Sequence, residues 1–174
     1  MEQLTLLVLG KNKIGLLHVV SQFIHHNDCS IQISRIMTLG QDFACYCLVT
    51  GNWHALAKLE AHLPTFEKQH QLKCLSQRTL ETKHEKTLPY TSYILAVNKP
   101  NVINQIIHFF MKQDIQVNEF SSNLYQARHS NVLMCEVTLS LSLAEDISLS
   151  DLREQFILFC DNHNLDGILE PDKS

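Results

Sequence analysis

The feature that most constrains this chain is a repeat. Leu16, Leu17, Val20, Phe23 and Ile24 mark the core-facing stripe of an amphipathic helix. At an offset of 86 residues, Val102, Ile103, Ile106, Phe109 and Phe110 mark a second stripe in the same register. The flanks follow at that offset: Asn12-Lys13 returns as Asn98-Lys99, Asp28 as Asp114, and Ile31 as Val117. With 174 residues in the chain, this spacing reads as one small module written twice.

Each copy carries the same order of elements. Residues 3–9 read as an apolar strand leading into Gly10, and a helix follows over about 14–27. Strands at 29–39 and 42–50 reverse at Gly40-Gln41, and Asn52 is placed to cap a helix over 53–63 that Pro64 is expected to end. Residues 71–79 make a fourth strand. The second copy reads strand 91–97, helix 101–113, strands 115–126 and 131–141, helix 150–163 behind the candidate caps Ser148 and Ser150, and a short strand near 166–170. The fold class is therefore α+β: two ferredoxin-like βαββαβ domains, 1–79 and 91–174, each an antiparallel sheet with helices on one face. The polar, proline-bearing stretch 80–90 reads as the linker.

Composition narrows function. The formal charge is −4, with 14 Lys and Arg against 18 Asp and Glu, so the basic excess of a nucleic-acid binder is missing. Protonating all ten histidines would bring the charge to +6, so mild acid reverses its sign. The N-terminus lacks the basic start and sustained apolar run of a signal peptide, and no stretch approaches the roughly 20 apolar residues of a membrane span. Six cysteines without framework spacing point to reduced thiols and a cytoplasmic protein. Cys45-x-Cys47 puts two thiols on one face of a strand, but no second pair completes a zinc site, so neither metal nor cofactor is expected. Trp53, just after the cap, is expected to anchor packing. No P-loop, nucleophile elbow or dinucleotide fingerprint occurs, which argues against an enzyme and leaves no catalytic residues to name.

The run Leu9-Gly10-Lys11-Asn12-Lys13-Ile14-Gly15-Leu16-Leu17 resembles the strand-to-helix loop of ACT domains, small βαββαβ modules. The likeness continues through Cys29-Ser30-Ile31, Ser34-Arg35, Leu39-Gly40-Gln41-Asp42-Phe43 and Thr50-Gly51-Asn52-Trp53. With a divergent second copy behind it, the chain looks like the glycine cleavage system transcriptional repressor family. That resemblance implies an amino-acid-responsive regulator, with glycine as the leading ligand. It would act by contact with a LysR-type transcriptional activator of the glycine cleavage operon, without reading DNA itself. A homo-oligomer with neither membrane nor nucleic-acid contact is expected.

The loop has a physical basis for binding an amino acid. A chain passing through Gly10, Lys11, Asn12, Lys13, Ile14 and Gly15 to Leu16 presents free N–H groups at a helix N-terminus, where a carboxylate is favoured. Gly10 and Gly15 leave room for a ligand, and Lys11 or Lys13 adds charge. In the second copy Asn98, Lys99 and Asn101 flank Pro100. The resemblance implies that such a loop meets the second strand of a partnering domain, here Ser30, Ile31 and Gln32, or Gln116, Val117 and Asn118. The family's usual Asp-Arg-Pro stands as Asn12-Lys13-Ile14, without the carboxylate, guanidinium and rigid proline. Arg35, a charge within an apolar strand, suits a ligand carboxylate, a partner acid or a structural salt bridge. The competing readings are a ligand-independent ACT adaptor and a regulatory subunit of an amino-acid metabolic enzyme.

Overall fold

The computed structural model describes residues 2–80, 86–128 and 130–172, and the chain divides into two compact units, 1–83 and 84–174. The first runs β1 (Glu2–Lys11), α1 (Leu16–His26), β2 (Ser30–Leu39), β3 (Asp42–Gly51), α2 (Trp53–His70) and β4 (Lys73–Thr79). The second runs β5 (Thr87–Val97), α3 (Val102–Lys112), β6 (Gln116–Gln126), β7 (Leu133–Ala144), α4 (Leu149–His163) and β8 (Leu165–Pro171). The sheets are antiparallel with orders β2-β3-β1-β4 and β6-β7-β5-β8, the βαββαβ topology of two ferredoxin-like domains.

Alternation along the strands decides which face is covered. Leu4, Leu6 and Val8 of β1 and Phe43, Cys45, Cys47 and Val49 of β3 are buried with Leu16, Val20, Ile24, Leu56, Leu59 and Leu63 of the helices. In the second unit Ile94, Val137, Leu139 and Leu141 meet Ile106, Phe110, Leu152 and Phe156. The repeat extends to backbone detail. α1 and α3 differ by 86 in both bounds, and irregularities in strand pairing fall at Ile31/Ile33 and at Val117/Glu119. Left-handed residues coincide too, with Gly15 matching Asn101 and Asp28 matching Asp114. One core pair is exchanged: Leu6 faces Cys47 in the first unit, whereas Ser92 faces Leu139 in the second. The larger side chain has moved across the strand pair and volume is kept.

The structure departs from the sequence reading in four places. α2 continues through Pro64 to His70. A proline inside a helix costs about 3 kcal/mol, but Phe66 beyond it is buried and stacks on Phe23 at 4.1 Å between centroids. The Glu67 carboxylate also accepts the Cys74 N–H at 2.6 Å, tying the added turn to β4. β5 starts at Thr87, so residues 87–90 of the expected linker are strand, while 81–85 lie outside the described residues. Pro89 is tolerated because its side of the ladder has reached the end of β8, where its carbonyl accepts from Asp172 at 3.0 Å. Leu17 is half exposed, because Leu16, Val20 and Ile24 at four-residue spacing already fill the contact with the sheet. Trp53 is 59% exposed and meets His54 edge-on, since Ala55 and Leu56 occupy the buried side of that first turn. The cap expected at Asn52 is present, its side-chain oxygen accepting the Ala55 N–H at 2.8 Å, and Ser148 does the same for Asp151 at 3.4 Å.

Candidate functional site

The loop between β1 and α1 borders an open groove of about 520 Å³, lined by Lys13, Ile14, Gly15, Leu16, His18, Val19, Gln69, His70 and Gln71. The local sequence dictates its form. Asn12 N–H donates to the Gln41 carbonyl at 2.8 Å, pinning the end of β1 to the β2–β3 turn. Leu16 N–H then donates to Lys13 at 3.2 Å and Val19 N–H to Gly15 at 3.0 Å, so the chain turns directly into the helix. Gly15 stands at the N-cap with φ 86°, a left-handed conformation that suits glycine, and no side chain caps the helix. The first-turn N–H groups of Leu17 and His18 are thus left without a side-chain cap at the positive end of the helix dipole, and His18 lines the groove.

The residues expected to bind a ligand have different surroundings. Gly15 has open space where a side chain would stand. Gly10 does not: the position of its missing Cβ is taken by Leu72, a buried side chain, so this glycine serves packing between β1 and the end of α2. Lys11 forms a surface ion pair with Asp42 at 2.8 Å, and the Lys13 ammonium donates to Gln71 Oε1 at 3.5 Å. Asn12 and Ile14 are exposed. Ser30, Ile31 and Gln32 stand at the start of β2, where Ser30 pairs with Thr50 and Thr50 with Gln3. Gly10 lies seven residues further along β1, about 23 Å away at strand rise. Within one unit, therefore, loop and strand start are at opposite ends of the sheet and do not meet. Gln32 is the extra residue of the irregular pairing, and its side-chain oxygen accepts from Gln3 at 3.1 Å. Arg35 lies on the helix-free face of the sheet opposite Tyr46, and its guanidinium donates to the Ser34 carbonyl at 3.3 Å.

The second loop repeats the backbone of the first. Asn98 N–H donates to Leu133 at 2.8 Å, Val102 N–H to Lys99 at 3.3 Å and Gln105 N–H to Asn101 at 3.0 Å. Asn101, with φ 72°, replaces Gly15 and gives no side-chain cap. Asn118 replaces Gln32 and donates to Ser142 Oγ at 2.7 Å.

The sequence reading missed His18, Gln69, His70 and Gln71. His70 and Gln71 reach the groove only because α2 runs past Pro64 and ends on the left-handed Gln71 at φ 57°. The four-residue step from Phe66 to His70 was the available signal, and their rings lie 4.9 Å apart. Among the described residues, no group of three His, Cys, Asp or Glu side chains could hold a metal, and no helix is long and apolar enough to cross a membrane. Cys45 and Cys47 are both buried, and their mutual hydrogen bond, with burial, pushes the Cys47 thiol up.

Residues 2–76 match the family model described as the ACT domain. The glycine cleavage system transcriptional repressor of Escherichia coli strain K12 is 19% identical over 166 residues, which span 94% of this chain and 87% of that protein. Its counterpart in Shigella flexneri gives the same figures. A crystal structure of a candidate glycine cleavage system transcriptional repressor superimposes with a TM-score of 0.77 at 22% identity, covering 99% of this chain and 98% of its own. A protein of unknown function from Galdieria sulphuraria superimposes with a TM-score of 0.78 at 16% identity, covering 98% of both chains. Two successive βαββαβ units, a first unit that matches the ACT model and a likeness extending over nearly every residue lead to one assignment. The first unit matches the ACT domain, the second repeats its βαββαβ topology, and the chain as a whole is similar to the glycine cleavage system transcriptional repressors.

Proposed function

We propose that this protein is an amino-acid-responsive regulator that represses glycine cleavage genes through protein contact, with glycine as the effector. The observation that carries the reading is the uncapped start of α1 on an open groove, in a chain whose relatives are named for glycine cleavage. In this reading the amino-acid carboxylate lies against the Leu17 and His18 N–H groups, with Lys13 adding charge, and the ammonium meets the side-chain oxygens of Gln69 or Gln71. The edge residues Ser30, Ile31 and Gln32, or their counterparts Gln116, Val117 and Asn118, complete the site from another domain. Gly10, Lys11 and Asn12 hold the loop in shape, Ile14 and Leu16 shield it, and Asn98, Lys99 and Asn101 form the second loop.

The partner is a LysR-type transcriptional activator in the cytoplasm. A chain of net charge −4 is suited to holding a protein and poorly suited to holding DNA. The role is regulatory and not enzymatic. A thermal-shift panel of amino acids tests the sensing step, because a ligand that binds only the folded state raises its stability. Glycine is expected to raise the melting temperature above any shift from alanine, serine or leucine. The absence of a shift with every amino acid at millimolar concentration refutes sensing and favours the ligand-independent adaptor. Pull-down of an amino-acid biosynthetic enzyme without a transcription factor favours the regulatory-subunit reading.

A further inference from the structure

The second unit carries, on the helix-free side of its sheet, a recess of about 190 Å³ lined by its own residues alone. Strand register builds it. Leu95 of β5 pairs with Glu136 of β7 on one side and with Asp166 of β8 on the other, so one row across the strands reads carboxylate, leucine, carboxylate. The two acids stand two strand spacings apart, about 10 Å between backbones. Tyr93 and Ile168, paired with each other, form the next row, and Tyr125 of β6 closes the opposite side. Tyr93 is 46% exposed, Tyr125 38% and Ile168 57%, so the recess opens to solvent.

Neither carboxylate has an ion pair or a hydrogen bond among the described residues. The arrangement is also particular to the second copy. At the 86-residue offset Leu95 corresponds to Leu9, whose strand partners are Ala44 and Lys73, so the fold itself does not require the two acids.

We propose that this recess binds a linear alkyl diammonium, one ammonium at each carboxylate and the methylene chain lying over Leu95 and Ile168. An ammonium donates charge-assisted hydrogen bonds to a carboxylate and is attracted to the face of a tyrosine ring. The methylenes meet the apolar floor between the two charges. A compact inorganic dication is a poor match, because it holds its oxygen ligands at about 2.1–2.6 Å and the two acids flank a leucine. The volume is below the roughly 300 Å³ at which drug-sized pockets begin, which restricts the ligand to a slender chain. The inference is separate from glycine binding at α1 and is read at different amides.

Titration of putrescine and cadaverine into the ¹⁵N-labelled chain tests it. Saturable shifts are expected at the Leu95 and Ile168 amides at millimolar diamine, with weaker binding as salt is raised. Butylamine and N-acetyl-lysine amide, each with one ammonium, are expected to bind about fivefold more weakly, which separates a free diamine from the lysine of a peptide. Glu136→Gln and Asp166→Asn are each expected to weaken putrescine binding by about the same factor. Both side chains are exposed, so the remaining amide spectrum is expected to stay in place and to report that the variants are folded. Mg²⁺ at equal concentration is expected to leave the Leu95 and Ile168 amides unshifted. No shift with either diamine, equal binding of the compounds with one ammonium, the same shifts from Mg²⁺, or binding indifferent to both substitutions overturns the proposal.

Discussion

Single residues show where the second copy has drifted from the first. Ser92, where the first copy has Leu6, is fully buried, and its hydroxyl has no hydrogen-bond partner among the described residues. A buried unsatisfied hydroxyl is destabilising, so Ser92→Ala is expected to raise unfolding free energy by about 1 kcal/mol. Urea denaturation measures this, and a loss of stability would show that the hydroxyl is used. The thiols give a pH dependence with a definite sign. Burial, aided by Glu67, pushes the Cys74 thiol up to about 12, and burial, with Asp161 and Asp166 adding, pushes Cys160 up to about 11. The native state then keeps protons that the unfolded chain loses above about pH 8.5–9, so stability falls as pH rises through that range. The limiting slope is about 1.4 kcal/mol per pH unit for each fully retained proton. Below that window these groups contribute no slope, and a flat denaturation midpoint from pH 8 to 10 contradicts the assignment. Arg35, Asn12 and Gly15 were legible as residues of interest, whereas the packing role of Gly10 was not, because it depends on Leu72 returning from 62 positions later in the chain.

At the scale of elements, the sequence disclosed most where one face of a helix or strand meets the core. The α1 and α3 stripes, the Asn52 and Ser148 caps and the alternation of β3 follow from local periodicity and capping chemistry. Pro64 was misleading because local propensity ends a helix there, while Phe66, Phe23 and the Glu67 contact to β4 reward continuing it. The proline is thus a cost outweighed by packing. Pro64→Ala is then expected to raise stability by about 1–3 kcal/mol, since the position is exposed. Calorimetric melting checks this, and a lowered melting temperature would show that the proline itself is needed. The turn gained after Pro64 brings His70 and Gln71 to the groove, so the missed helix end and the missed site residues have one cause.

For the whole molecule, an 86-residue period says that two like units exist and leaves their outward faces unspecified. The units share topology, pairing irregularities and left-handed positions, yet the residues of their helix-free faces differ, with Tyr46 and Leu75 on the first and Glu136 and Asp166 on the second. Repetition preserved the core because packing constrains it from every side, while the surfaces diverged. The candidate ligand residues are divided in the same way. The β1–α1 loop and the start of β2 are at opposite ends of one sheet, so no reading of a single unit could join them. The central claim is that glycine binds at the uncapped start of α1. Titrating glycine into ¹⁵N-labelled protein and following backbone amides tests it directly. The account predicts saturable shifts at Leu17 and His18, reduced by Gly15→Val, which opposes the left-handed conformation at that position. Unchanged amides at Leu17 and His18 up to millimolar glycine would contradict it.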